Sequence, residues 1–175
     1  MKVRTAIIFS SQDGHTKKIC CRLETLLTES NHRVELFSIH EFSKNIQDYE
    51  KVIIASSIRY GTHHKKILEL IKNNTAGLNK IKNAFISVNL VARKPEKATA
   101  QTNPYVIKFL NSIEWKPNLV AVFAGKLDYK KYVFIDRLMI QLIMLITKGP
   151  VNSKTEIEYT DWAGVDEFGY EFANI

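Results

Sequence analysis

The sequence predicts a three-layer α/β fold built on a parallel sheet, and three observations carry that reading. Strand-like and helix-like stretches alternate along the chain. Several of the strand-like stretches are continuous apolar runs, as expected of strands covered on both faces. Three polar loops, at residues 10–16, 56–63 and 87–93, fall at the carboxyl ends of such runs, where open parallel sheets bind ligands. At 175 residues with 45% apolar content, the chain is large enough to bury the core of one domain.

Thr5-Ala6-Ile7-Ile8-Phe9 closes a first strand over residues 1–9, and Ile19, Leu23, Leu26 and Leu27 recur at helical spacing within 16–30. Arg33-Val34-Glu35-Leu36-Phe37-Ser38 alternates in polarity, the pattern of an edge strand with one wetter face. Lys51-Val52-Ile53-Ile54-Ala55-Ser56 reads as an interior strand. A loop over 57–64 follows, then a helix with Ile67, Leu68 and Ile71 on its inner side. Asn83-Ala84-Phe85-Ile86-Ser87-Val88 is the fourth strand, followed by a loop over 89–102. Asn103-Pro104 starts a helix that runs to about Glu114, with Asn as N-cap and Pro in the first turn. Leu119-Val120-Ala121-Val122-Phe123-Ala124 is the fifth strand and stops at Gly125. Residues 155–159 form a short strand, and Thr160 or Asp161 caps a last helix carrying Trp162, Val165, Phe168 and Phe172.

Ser10-Ser11-Gln12-Asp13-Gly14-His15-Thr16 carries the clearest chemistry. A strand that turns through small hydroxyl residues and a glycine into a helix N-terminus points several backbone N–H groups outward. The helix dipole adds partial positive charge there, so the fitting occupant is a phosphate. Ser11 and Thr16 offer hydroxyls, and Gly14 permits close approach of the backbone. The competing reading is a plain capped turn; neither GxxxxGK[ST] nor GxGxxG is present. A phosphate here and a flat ring between the other two loops would describe flavin mononucleotide (FMN). Tyr60 is a candidate to stack on that ring, against the alternative of ordinary packing.

The 25 Lys+Arg against 18 Asp+Glu give a net charge of +7, which favours nucleic acid, a lipid surface or a carboxylate-bearing substrate. Basic residues are scattered apart from Arg93-Lys94-Pro95-Glu96-Lys97, too small a patch for nucleic acid. That loop would border the ring, where Arg and Lys suit substrate carboxylates; a solvated loop is the alternative. Cys20 and Cys21 are helix neighbours about 100° apart, expected as one core thiol beside one half-exposed thiol. No metal-spaced Cys/His set, disulfide framework or secretory signal is visible, so a cytosolic setting and no metal are expected.

Residues 126–149 exceed what a minimal domain of this kind needs. They begin Lys126-Leu127-Asp128-Tyr129-Lys130-Lys131-Tyr132 and continue into an apolar run over 132–147 that contains Asp136, Arg137 and Gln141. As a helix that run would be about 24 Å long, short of the ~30 Å hydrocarbon core, so it should not span a membrane. Two readings stay open: a core helix, or an interfacial helix whose lysines meet anionic headgroups.

Taken together these stretches resemble one family. Residues 10–16 resemble the FMN phosphate loop of flavodoxins. Ser57-Ile58-Arg59-Tyr60-Gly61, the stretch from Ser87-Val88-Asn89-Leu90 through Lys97, and Tyr159-Thr160-Asp161-Trp162 resemble the flavodoxin-type, quinone-dependent protoporphyrinogen oxidases of proteobacteria. Asp136-Arg137-Leu138-Met139-Ile140 falls where that family carries an extra loop and helix, and the likeness extends over nearly the whole chain. It implies a single flavodoxin-like domain over 1–175, with a doubly wound five-stranded parallel sheet in the order 2-1-3-4-5. A basic and apolar insert at about 126–149 follows the fifth strand. It further implies oxidation of protoporphyrinogen IX to protoporphyrin IX in haem synthesis, with menaquinone or ubiquinone as acceptor. The enzyme would sit peripherally on the cytoplasmic face of an anionic inner membrane.

Cofactor binding would fall to Ser10, Ser11, Gln12, Asp13, Gly14, His15 and Thr16 at the phosphate. Ser57, Ile58, Arg59, Tyr60, Gly61, Ser87, Val88, Asn89 and Leu90 would hold the ring. Arg93, Lys94 and Lys97, with Arg59, are the candidates for the substrate propionates. The flavin carries the redox chemistry, so no dedicated catalytic side chain is required. His63 or His64 is a candidate proton relay, against the usual solvated loop histidine. The competing functions are an NAD(P)H-dependent quinone or FMN reductase and a flavodoxin-type electron carrier.

Overall fold

A computed structural model describes residues 2–131, 134–146 and 148–175, without the side chain of Lys131. Met1, Tyr132, Val133 and Thr147, which the expected first strand and insert helix include, lie outside the described residues. In chain order the elements are β1 (Val3–Ser10), α1 (His15–Glu29), β2 (His32–Ser38), β3 (Lys51–Arg59), β4 (Thr62–His63), α2 (Lys65–Leu78) and β5 (Lys82–Val88). Then come α3 (Pro104–Leu110), β6 (Leu119–Phe123), β7 (Lys126–Asp128), α4 (Phe134–Ile146), β8 (Glu156–Glu158) and α5 (Trp162–Asn174).

The main sheet runs β2-β1-β3-β5-β6 with every pair parallel, the expected 2-1-3-4-5 order once the two-residue β4 is set aside. The apolar runs explain it. Alternate side chains of β1 and β3 feed two cores, and both are closed by helices. Ile7, Phe9, Ile53 and Ala55 pack with α1 and α5 through Ile19, Leu23, Leu27, Phe168 and Phe172. Ala6, Ile8, Val52 and Ile54 pack on the other face with Ile67, Ile71 and Leu78 of α2, together with Phe109 and Trp115. Cys20 sits in the first of these cores, where burial pushes its thiol up beyond any role as a thiolate at neutral pH.

Three local expectations change. The third strand does not end at Ser56. It continues to Arg59, reverses at Tyr60-Gly61, and pairs antiparallel through Ile58 with His63 and Arg59 with Thr62. Both turn residues have positive φ, 50° and 75°, as a two-residue hairpin turn matched to sheet twist requires. A tyrosine in the first turn position gives no such signal in sequence. α3 stops at Leu110 rather than near Glu114, because the chain must turn to bury Trp115 against Phe85. Lys126–Asp128, not expected as a strand, pairs antiparallel with Glu156–Glu158 to form the neck of the insert.

Candidate functional site

The crossover from β1 passes to one side of the sheet and that from β3 to the other, so a crevice opens between their carboxyl ends. Strand register sets Ser10 beside Ser56 and Ser56 beside Ser87, and the three predicted loops leave the sheet from that row. They meet along a cleft of about 580 Å³, the size of a cofactor site. Ser11 through Thr16, Ser57 through Gly61, and Val88, Asn89, Leu90 and Arg93 line it. Ser10 and Ser87 do not, being buried at the sheet end; Lys94 and Lys97 lie off the cleft wall, carried away by two short 3₁₀ turns.

The floor is the N-terminus of α1. Gly14 is its N-cap with φ 84°, a left-handed conformation natural only to glycine, and no side chain caps the helix. The first turn carries no acid, and the first i→i−4 bond runs from Lys18 N–H to the Gly14 carbonyl. The earlier N–H groups therefore have no helical acceptor. Ser11 Oγ is buried yet has no hydrogen-bond partner, and a Cβ placed on Gly14 would meet nothing within 4 Å. An open cradle of unsatisfied donors at a helix N-terminus fits a phosphate.

Around it the loops are fixed by hydrogen bonds. Thr160 Oγ1 donates to the Ala124 carbonyl at 2.8 Å, so in its 2.6 Å bond with His15 the donor is the histidine Nε2–H. The competing caps of the last helix thus divide their tasks: Asp161 caps α5 by accepting from Gly164 N–H, while Thr160 ties β8 to the phosphate loop. Glu158 lies nearby. Burial alone would raise its carboxyl, but bonds from Lys18 Nζ and Trp162 Nε1 outweigh that and hold it below its usual range.

A buried amide chain sets the third loop. Asn103 Nδ2 donates to Asn89 Oδ1, which also accepts from Ala92 N–H, and Asn89 Nδ2 donates to Ser87 Oγ. His63 Nε2 meets the same Ser87 hydroxyl at 2.9 Å, with its ring against Phe85 and Phe109. Burial pushes this histidine down to about 4, so it is neutral and structural at physiological pH rather than a solvated relay. His64 is half-buried and caps α2 through Lys66 N–H.

The far wall comes from the insert, whose apolar run the sequence leaves open to more than one role. α4 closes the cleft with Met139, Ile140, Ile143 and Met144, and its Asp136 reaches into it. Arg59 Nη2 donates to Asp136 Oδ2 and the Tyr60 hydroxyl to Asp136 Oδ1, while Arg59 Nη1 lies 4.0 Å from Asp13 Oδ1. A lone acid inside an apolar helix was the available signal, since such a group stays buried only when paired.

A parallel sheet in this order, with an open helix N-terminus at its switch point, defines an α/β domain of the flavodoxin type. The family model described as a flavodoxin domain matches residues 6–154. Over 174 residues the chain is 41% identical to the Protoporphyrinogen IX dehydrogenase (quinone) of Escherichia coli strain K12, covering 99% of this chain and 96% of that protein. A Leishmania major protein of the same name is 44% identical over 171 residues, covering 97% of this chain and 74% of its own length. The chain belongs to the flavodoxin-domain family and, within it, to the group of the protoporphyrinogen IX dehydrogenases (quinone). Solved flavodoxins from an archaeon and from Bacillus cereus share the fold, each with a TM-score of 0.57 over 98% of this chain. They are 10% and 14% identical to it and cover 96% and 97% of their own lengths.

Proposed function

We propose that the protein is an FMN-dependent oxidoreductase that oxidises protoporphyrinogen IX to protoporphyrin IX and passes the electrons to a membrane quinone, menaquinone or ubiquinone. The observation that carries the reading is one cleft with two unlike ends: an anion cradle at the start of α1 and an apolar helix as the opposite wall.

When bound, the flavin supplies two-electron acceptance, so three rounds remove the six electrons and six protons that separate substrate from product. The chain's residues do the rest. N–H groups of Gly14, His15 and Thr16, with Ser11 Oγ, would hold the phosphate. Residues of the Ser57–Gly61 and Val88–Leu90 stretches bracket the ring, and the Asn103–Asn89–Ser87 chain keeps the second of them rigid. Met139, Ile140 and Ile143 give the macrocycle an apolar face and exclude water, while Arg59 and Arg93 stand at the cleft for its carboxylates.

The acceptor is lipid-soluble, and α4 is suited to meet it. Phe134 and Ile146 are 77% and 73% exposed, and Leu138, Leu142 and Leu145 are also exposed. Lys130, Lys148 and Lys154 stand exposed on the same insert, the pattern of an interfacial helix beside anionic headgroups. The core-helix alternative fails for the described residues of α4, where only Asp136 and Met144 are buried. Among the described residues no helix is long and apolar enough to cross a membrane. A peripheral seat on the cytoplasmic face of the inner membrane is part of this proposal, and the exposed apolar face of α4 with its flanking lysines supports the membrane contact.

The test is anaerobic mixing of FMN-loaded protein with protoporphyrinogen IX while following the visible flavin band. Bleaching that a quinone reverses is the expected result. No bleaching with protoporphyrinogen, but reduction by NADH or NADPH, would replace this reading with a nicotinamide-dependent quinone reductase.

A further inference from the structure

Arg59 and Tyr60 stand on the tight turn between β3 and β4, where both Tyr60 and Gly61 have positive φ. A bulky side chain in that conformation persists only where its surroundings hold it. From this fixed base the guanidinium and the phenol converge on the two oxygens of one carboxylate, Asp136. Two donors aimed at the two oxygens of one carboxylate are a recognition geometry rather than a chance ion pair.

The carboxylate they hold belongs to a helix that is otherwise mostly exposed. Asp136 is 3% exposed on a helix whose described side chains, Met144 apart, are partly or fully exposed. Other anchors of α4 include the small cluster of Met144 and Ile140 with Leu127 and Tyr129, and a bond from Gln141 Nε2 to the Val151 carbonyl. Of the other cations at the cleft, Lys18 pairs with Glu158 and Lys126 with Glu156, while Arg93 Nη1 also donates to the Leu90 carbonyl. Arg59 already lies near Asp13 as well, so a further carboxylate beside it would face two like charges, and departure of Asp136 relieves one of them.

We propose that Arg59 and Tyr60 form a carboxylate-binding subsite of the cleft, which Asp136 occupies by mimicry and yields to an entering ligand carboxylate. The proposal rests on the tetrapyrrole reading and deepens it: one propionate of the macrocycle exchanges with Asp136. The exchange loosens the end of α4 that covers the cleft, which couples entry of an acidic ligand to movement of the apolar wall.

The experiment titrates full-length FMN-loaded protein with protoporphyrin IX and, in the same detergent, with its dimethyl ester, reading porphyrin fluorescence. The diacid-to-ester affinity ratio is compared in the unsubstituted protein, Asp136→Asn, Arg59→Gln and the double variant. Asp136→Asn raises the ratio about tenfold and Arg59→Gln lowers it about tenfold, the scale of one charge-assisted hydrogen bond. In the double variant the gain from Asp136→Asn disappears. Because the ester reports any general damage to the cleft, a purely structural role for Asp136 moves both ligands together and leaves the ratio unchanged; that result overturns the subsite. A gain that persists without Arg59 overturns it too, since it reflects general relief of negative charge. If the unsubstituted protein binds neither form, the tetrapyrrole reading fails and takes the subsite with it. If it binds both equally, only the subsite fails.

Discussion

Single residues in the cleft separate what serves the fold from what serves a ligand. Ser11 Oγ is buried without a partner, a cost to the ligand-free fold that a phosphate oxygen would remove. Ser11→Ala is therefore expected to leave the apoprotein as stable as before or slightly more so. The same change should weaken FMN binding about tenfold, the worth of one charge-assisted hydrogen bond. Thermal melts of the apoprotein and flavin fluorescence titration check the two halves. His63 is the opposite case, satisfied by Ser87 and enclosed by rings. Its folded value of about 4 lies below the ordinary 6.5, so between those values the unfolded chain binds more protons and stability falls with falling pH. The contribution is complete above about pH 6.5. Roughly 2 kcal/mol of it is lost by pH 5, and the loss continues toward pH 4. Urea unfolding at pH 7 and pH 5 should show that difference, and His63→Gln should flatten it.

At the scale of elements, short helices and loops here depend on caps that also belong to the site. Asn103 accepts from Tyr105 and Val106 N–H to start α3 and donates to Asn89 and to the Lys97 carbonyl. Asn103→Ala removes a cap and leaves buried partners unsatisfied, so a loss of about 2–4 kcal/mol is expected in denaturant unfolding. Weaker flavin binding should accompany it as the 89–93 loop loosens. This element was legible, because Asn-Pro before an apolar run has a mechanism, and so were the five parallel strands, four from their apolar runs and the edge strand from its alternation. The hairpin after Arg59 was not: the turn needs positive φ at Tyr60, a property set by strand pairing rather than by that residue's preference. Asp136 escaped for a related reason. Its partners lie more than seventy positions away in sequence, and no local pattern announces a contact of that reach. Lys94 and Lys97 show the converse, residues near the site in sequence that two 3₁₀ turns carry off its wall.

For the whole molecule, the proposed function divides the work: the sheet would hold the cofactor and the insert would reach a hydrophobic partner. Replacing Leu138 and Leu142 together by Glu places two charges on the exposed face of α4. Sedimentation with anionic vesicles should then fall at least tenfold, and quinone-linked turnover with it, while flavin affinity stays within about twofold. Equal sedimentation of the two proteins would remove the membrane role. The neck of the insert bears on how such a protein arises. Because β7 and β8 run antiparallel, with Asp128 opposite Glu156, the intervening chain leaves and returns at nearly one point of the domain. The two ends are one strand spacing apart, about 5 Å, a gap that a turn of a few residues can bridge. The excursion thus joins the domain at a single narrow neck, beyond which Asp136 ties it back to Arg59 and Tyr60. A parent carrier could have gained it in one insertion event without disturbing the order of its strands, and the same junction is where an engineer would graft a different surface to redirect the electrons.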